Sequence, residues 1–296
     1  MKIFIYILVL TAIFCTFSKA EEKLKIDRMT LIFRSDTNDK NFIDFIETDI
    51  KQRLTLIKSF YGGLPDENYI IYLLKNKERF ETFSKKDLPE WSRAIAYVKN
   101  NTIILKINSA EDILESSKTL AHELSHMLLY RRFNERHIPV WLNEGLAEYL
   151  AGKELSLAEK TIIANALWTN SLIPLSRIDS LLLFDAVKAR LSYLESLVAV
   201  KFYIGKHGLK NLYRLLENID ESTGINPAFL KTVGYDFIDF EVEWYKELDD
   251  KYLWMVILNL DSLLWLSITV LAIVVFLSIK IRNKKKIEKL DSWDDY

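Results

Sequence analysis

The stretch Ser109–Phe133, SAEDILESSKTLAHELSHMLLYRRF, decides the fold of this chain. Its pattern is helical, and Ser109 is the residue expected to cap the first turn. Glu111 and Asp112 follow within that turn, where carboxylates interact favourably with the helix dipole. The stretch therefore predicts one long helix.

The segments before this helix have the patterns of strands. We predict two single strands, a helix that stops at Gly62-Gly63, and a hairpin with an Asn-rich turn. After Ala110 the patterns are helical throughout. Strands followed by helices predict an α+β fold, with a mixed sheet and helices over about 28–109 and a mostly helical part over about 110–250. The predicted elements, in the order given, are RMTLIFRS, NYIIYLLKN, NFIDFIETDIKQRLTLIKSFYG and RAIAYVKNNTIILKINS.

The first twenty residues, MKIFIYILVLTAIFCTFSKA, have the order of a secretory signal peptide. A lysine precedes a short apolar run, and a small-residue ending predicts cleavage after Ala20. An uncleaved N-terminal anchor is the alternative. Cys15 is the only cysteine of the chain, so cleavage leaves no disulfide, no cysteine nucleophile and no cysteine metal ligand.

The second apolar run, Ser262–Ile281, predicts a transmembrane helix, with an interfacial segment and the span together covering 252–281. The basic residues RNKKK follow at once and predict a cytoplasmic tail over 282–296. A buried core helix is the alternative. Residues 21–251 would then form the extracytoplasmic domain, in a periplasm or at a cell surface. The net charge of −1 implies no nucleic-acid partner.

Two of the four histidines, His122 and His126, are four positions apart inside the long helix. Side chains at i and i+4 share one face, so both imidazoles can bind one zinc ion. Glu123 is one step round the helix, where it can reach a zinc-activated water but is not placed as a ligand. His-Glu-x-x-His therefore predicts metal-dependent hydrolysis.

The next predicted helix, in PVWLNEGLAEYLAG, supplies a further acidic candidate. Glu144 lies eighteen positions beyond His126, and we expect it to turn inward as the third zinc ligand. Glu148 is four positions further on and is expected to accept the N–H of a ligand histidine, with His122 favoured. A solvated acidic helix face is the alternative for both glutamates.

The sequences HELSH and WLNEGLAEYL resemble the gluzincin metallopeptidases, the peptidase MA-like group that includes thermolysin-like and M1-aminopeptidase-like enzymes. The resemblance implies a mostly helical zincin-type lobe. It implies a zinc ion held by His122, His126 and Glu144, with Glu123 as general base and acid.

A second stretch of the resemblance, SYLESLVAVKFYIGKHG, places Tyr193 at the position of a family tyrosine that stabilises the oxyanion. An aromatic residue packed on a helix is the alternative. The chain has no Gly-x-Met-Glu-Asn element, with which M1 aminopeptidases hold a substrate's amino terminus, so an endopeptidase is favoured. The family's substrate-holding edge strand is expected at Thr102–Asn108.

These features predict a membrane-anchored zinc metallopeptidase that hydrolyses peptide or protein substrates. A membrane-anchored binding or sensor protein that keeps the peptidase fold without turnover is the main alternative. A structural ectodomain, in which the histidines pack without metal, is a further one. Metal content and cleavage of an unstructured protein distinguish the three.

Overall fold

The computed structural model describes residues 21–35, 40–75, 77–83, 92–107, 110–133, 138–220, 224–258 and 260–291. The expected signal peptide and the expected helix cap Ser109 lie outside these ranges. The described residues fall into two units. One holds Ile173–Trp244 and the chain up to Leu155, and the other holds Ser156–Leu172 and the chain from Tyr245 onward.

The first unit contains a five-stranded mixed sheet. Its spatial order is β1-β2-β3-β5-β4, with parallel pairing of β2, β3 and β5 and an antiparallel strand at each edge. Helix α1 connects β2 to β3, and the short helix α2 follows β3. The bounds are β1 Glu21–Ile26, β2 Met29–Ser35, α1 Lys40–Tyr61, β3 Asn68–Leu74, α2 Lys77–Phe83, β4 Ala94–Tyr97 and β5 Thr102–Lys106.

The inner strands form the core because they are covered on both faces. Phe33, Ile71 and Ile103 are fully buried and lie in register across β2, β3 and β5. The apolar stripe of α1 is also buried, and each such side chain contributes about 1.5–3 kcal/mol when removed from water. Helix α1 packs against α3, the helix Ala110–Phe133, and so connects the sheet to the helical part.

The helical part follows the sheet, and the predicted α+β fold class is confirmed. Its bounds are α3 Ala110–Phe133, α4 Val140–Leu150, α5 Leu157–Trp168, a 3-10 segment Leu175–Leu183, α6 Ala186–His207, α7 Leu209–Asn218, α8 Ile225–Val233 and α9 Phe237–Tyr252. Within the first unit, α4 packs against both α3 and α6.

The second unit contains α5, the 3-10 segment Leu253–Leu258 and α10, the helix Leu260–Asp291. Helix α5 begins with a capping box in which Ser156 and Glu159 bond reciprocally. The part of α10 from Leu263 to Lys284 is long and apolar enough to cross a membrane, and none of it is buried. The helix continues beyond Ile281, the expected end of the span, because the lysines that follow are good helix formers.

The sheet differs from the sequence prediction in the residue at which it begins and in the strand that forms one of its edges. Strand β1 begins at Glu21, before the region about 28–109 that was expected to hold the sheet. The prediction that Thr102–Asn108 forms an edge strand is wrong, because β5 pairs with β3 on one side and with β4 on the other. Strand β4 is therefore the edge strand on this side of the sheet.

Candidate active site

Helices α3 and α4 bring the three predicted metal ligands together. The Nε2 atoms of His122 and His126 lie 2.9 Å apart. Glu144 Oε2 lies 3.3 Å from each of these nitrogens. One helical turn separates the histidines along α3, and α4 crosses that face to supply the carboxylate.

The outer ring nitrogens of both histidines have oxygen partners on α4. His126 Nδ1 lies 2.8 Å from Asn143 Oδ1, and His122 Nδ1 lies 3.4 Å from Glu148 Oε1. When each Nδ1 donates its proton to that oxygen, each Nε2 is left with a lone pair. Both lone pairs then belong to nitrogens that face the Glu144 carboxylate.

This donor set fits a divalent cation. The three ligand atoms lie within 4.8 Å of one another. Buried Glu144 Oε2 makes no hydrogen bond of acceptable geometry within the described part of the chain, although both imidazoles are close. Atoms held at about 2.0–2.1 Å around a tetrahedral zinc ion stand roughly 3.3 Å apart, close to the spacings found here. Two imidazoles and one carboxylate are also the ligands that catalytic zinc sites use.

The protonation states of the two histidines and Glu144 depend on one another. Burial opposes a charged His126, but the Glu144 carboxylate outweighs it and raises the pKa of His126 to about 9. Burial also acts against ionised Glu144, yet the two histidines hold the pKa of its carboxyl well below the usual range. The carboxylate is therefore ionised at neutral pH, and a bound cation would replace the protons that it attracts to the imidazoles.

The position of α4 depends on a close approach to α6. A Cβ at Gly145 would lie 2.2 Å from the backbone oxygen of Ser196 and 2.7 Å from Val200 Cγ2. Only glycine allows this packing. The contact fixes α4, and with it Glu144, against the helix that carries Tyr193.

A polar network from α1 holds the other side of the site. Ser117 Oγ donates to Asp49, which also forms an ion pair with Arg53 at 2.8 Å. Arg53 donates to the backbone oxygen of Ala151, just past the end of α4. Helix α1 is thereby bonded to α3 at Ser117, slightly more than one turn before His122. It is also bonded to the C-terminal end of α4.

A cavity of about 280 Å³ opens beside the ligand cluster. Tyr193 borders it, with its ring centroid 6.4 Å from that of His122. Burial raises the pKa of Tyr193 far above its ordinary value, so the hydroxyl remains a proton donor at neutral pH. The lining residues are Ser92, Arg93, Ala94, Glu115, Lys118, Thr119, His122, Glu123, Glu148, Lys153 and Tyr193.

The structure thus brings all the predicted site residues to one place, with Glu123, Glu148 and Tyr193 around the cavity and Glu144 beside it. Sequence reasoning missed the contact of Asn143 with His126 and the packing role of Gly145. A signal existed for Asn143, because asparagine is a poor residue for a helix interior and marks a specific hydrogen bond there.

The sheet, the helix with His-Glu-x-x-His and the glutamate helix define a gluzincin-type fold. A family model described as Peptidase MA superfamily matches residues 53–250, more than half of the sequence, and the chain belongs to that superfamily. The resemblance to peptidase MA-like proteins is confirmed.

One solved structure similar to the chain is an M1 zinc metallopeptidase from Deinococcus radiodurans, bound to a substrate. The two share 14% identity with a TM-score of 0.42, and the match covers 78% of this chain and 50% of that one. The chain therefore spans about half the length of this structure. No curated protein matched the chain.

Proposed function

We propose that this protein is a zinc-dependent metallopeptidase that hydrolyses peptide bonds. The observation that carries the proposal is the convergence of His122, His126 and Glu144 beside an open cavity lined by Glu123. Membership of the Peptidase MA superfamily supports the same activity.

The two histidines and Glu144 would hold the ion, and zinc in such a site supplies Lewis acidity to a water molecule and to a substrate carbonyl. Glu123 takes a proton from the attacking water and passes it to the leaving amine. The Tyr193 hydroxyl donates a hydrogen bond to the oxygen on which negative charge develops. Asn143 and Glu148 keep the two imidazoles in the tautomer that presents Nε2.

We infer that the enzyme is an endopeptidase. The sequence has no Gly-x-Met-Glu-Asn element to hold a free amino terminus. Strand β4 is an edge strand, and its first residue, Ala94, lines the cavity. An extended substrate can add to such an edge through backbone hydrogen bonds, which do not require a chain end.

We also propose that residues 1–20 are a cleaved signal peptide and that α10 anchors the protein in a membrane. Apolar Leu263–Lys284 and the basic residues at its end support an orientation with the catalytic domain outside the cytoplasm.

The experiment that tests the activity compares the wild-type protein with Glu123→Gln. The wild type should cleave casein, and a zinc chelator should block the cleavage. Glu123→Gln should keep its metal and lose cleavage, because glutamine cannot accept the proton of water. Retained turnover in the purified variant would remove Glu123 from its role. A wild type that holds zinc but cleaves nothing would favour the binding or sensor alternative.

A further inference from the structure

The cavity extends along α3 beyond the ligand cluster. Thr119, Lys118 and Glu115 precede His122 on the same side of the helix and line the cavity with it. Because an α-helix rises 1.5 Å per residue, Lys118 and Glu115 lie roughly 6 and 10 Å along the axis from His122. An extended peptide advances about 3.3 Å per residue, so this region lies two or three substrate residues from the reacting bond.

Three cationic and three acidic side chains line the cavity. The cations are Arg93, Lys118 and Lys153, and the carboxylates are Glu115, Glu123 and Glu148. Asp112 and Glu115 on α3 also line a smaller neighbouring cavity with Arg93. Lys118 pairs with Glu115 at 2.7 Å. Glu123 and Glu148 lie with the catalytic cluster at the other end of the cavity lining on α3 and α4.

Arg93 differs from the other two cations. Its backbone is held in place, because its carbonyl oxygen accepts a hydrogen bond of 2.9 Å from the Lys106 N–H next to strand β4. Its side chain is exposed, and within the described residues its guanidinium forms no ion pair or side-chain hydrogen bond. Because the Arg93 backbone is fixed and its guanidinium has no partner among the described residues, the guanidinium can bind a carboxylate through two parallel hydrogen bonds.

We propose that Arg93, together with Lys118, selects peptides that carry a carboxylate close to the cleaved bond. The carboxylate is either an acidic side chain or the C-terminus of the peptide. This inference rests on the proposed peptidase function and names its substrate class.

Quenched fluorescent peptides test the preference. One otherwise uncharged scaffold carries a glutamate moved through each position around the cleaved bond, and each peptide is paired with its glutamine counterpart. A second pair differs only in a free or amidated C-terminus. The wild type should show a higher kcat/KM for the carboxylate member of one pair, by about five- to tenfold, and added salt should reduce the difference.

Variants of Arg93 test whether this residue causes the preference for peptides with a carboxylate. Arg93→Gln should bring the ratio close to one, and Arg93→Glu should invert it, because a carboxylate would then repel the substrate. Arg28→Gln is the matched control. Arg28 is also exposed, but it lies in the turn between β1 and β2, at the opposite edge of the sheet, and should leave the ratio unchanged.

A binding measurement separates this inference from the proposed function. The same peptides, labelled but unquenched, are titrated into the full-length Glu123→Gln protein, and fluorescence anisotropy is recorded. Cleavage by wild type without any carboxylate preference would overturn the inference and leave the peptidase. Carboxylate-selective binding that Arg93→Gln abolishes, with no cleavage by wild type, would overturn the peptidase and keep the site. Neither cleavage nor selective binding would overturn both.

Discussion

Gly145 on α4 lies so close to Ser196 on α6 that a Cβ at position 145 would stand 2.2 Å from the Ser196 backbone oxygen. No side-chain rotation relieves such a clash, because the obstacle is backbone. The residue before this glycine is the candidate ligand Glu144. The separation of two helices therefore determines where the carboxylate meets the histidines.

Replacing Gly145 by alanine should push α4 away from α6. We expect a loss of about 1–3 kcal/mol in the free energy of unfolding, with weaker zinc binding, because Glu144 moves with its helix. Thermal unfolding and a metal-competition titration measure the two effects. Gly205→Ala is the control, since a Cβ there meets nothing within 4 Å and alanine favours the helix. Equal behaviour of the two variants would show that the close approach is unimportant.

Asn143 should control zinc affinity without touching the ion. Its Oδ1 lies 2.8 Å from His126 Nδ1 and holds the imidazole in its ligating orientation. Asn143→Ala is expected to lower zinc affinity about 10- to 100-fold, as removal of such a partner does at other zinc sites. Asn143→Asp keeps an oxygen acceptor and should bind zinc nearly as well as wild type. If alanine and aspartate variants were equally impaired, the orienting hydrogen bond would not be the cause.

Buried Glu195 should make stability depend on pH. Burial, with a contribution from Glu241, raises its pKa from 4.5 to about 8, although the Ile173 N–H bonds to its carboxyl at 3.1 Å. The folded state therefore binds this proton more tightly than the unfolded state. Protonated Glu195 therefore stabilises the folded state. This contribution to the free energy of unfolding is fully present below pH 4.5 and is lost as the pH rises to about 8. The slope is at most about 1.4 kcal/mol per pH unit.

Glu195→Gln is the control variant for the pH dependence of the free energy of unfolding. Glutamine fills the same space and still accepts the Ile173 N–H, but it does not ionise. Urea unfolding from pH 5 to pH 8 should show the wild type losing stability relative to the variant as pH rises. Parallel curves would mean that Glu195 does not carry the effect.

Much of the site followed from the sequence because its signals are local. His122 and His126 share a face through helical spacing alone, and the expected contact of Glu148 with His122 is present at 3.4 Å. The hairpin before α3 was also predicted, since β4 and β5 pair antiparallel around an Asn-containing turn.

The features that were missed depend on partners distant in the chain. Strand β1, EEKLKI, is rich in charged residues that face solvent, and it is a strand because it pairs with β2, where Glu21 meets Arg34. The place of β5 inside the sheet depends on its parallel pairing with β3. The need for glycine at 145 exists only once α6 lies against α4.

The central claim is that His122, His126 and Glu144 bind one zinc ion. Its most direct test is the zinc content of the purified full-length protein in detergent, measured by mass spectrometry after long dialysis. The account predicts about one zinc per chain for wild type and for Glu123→Gln, and almost none for Glu144→Ala. A wild type free of metal after exposure to zinc, or a Glu144→Ala variant that retains a full equivalent, would contradict it.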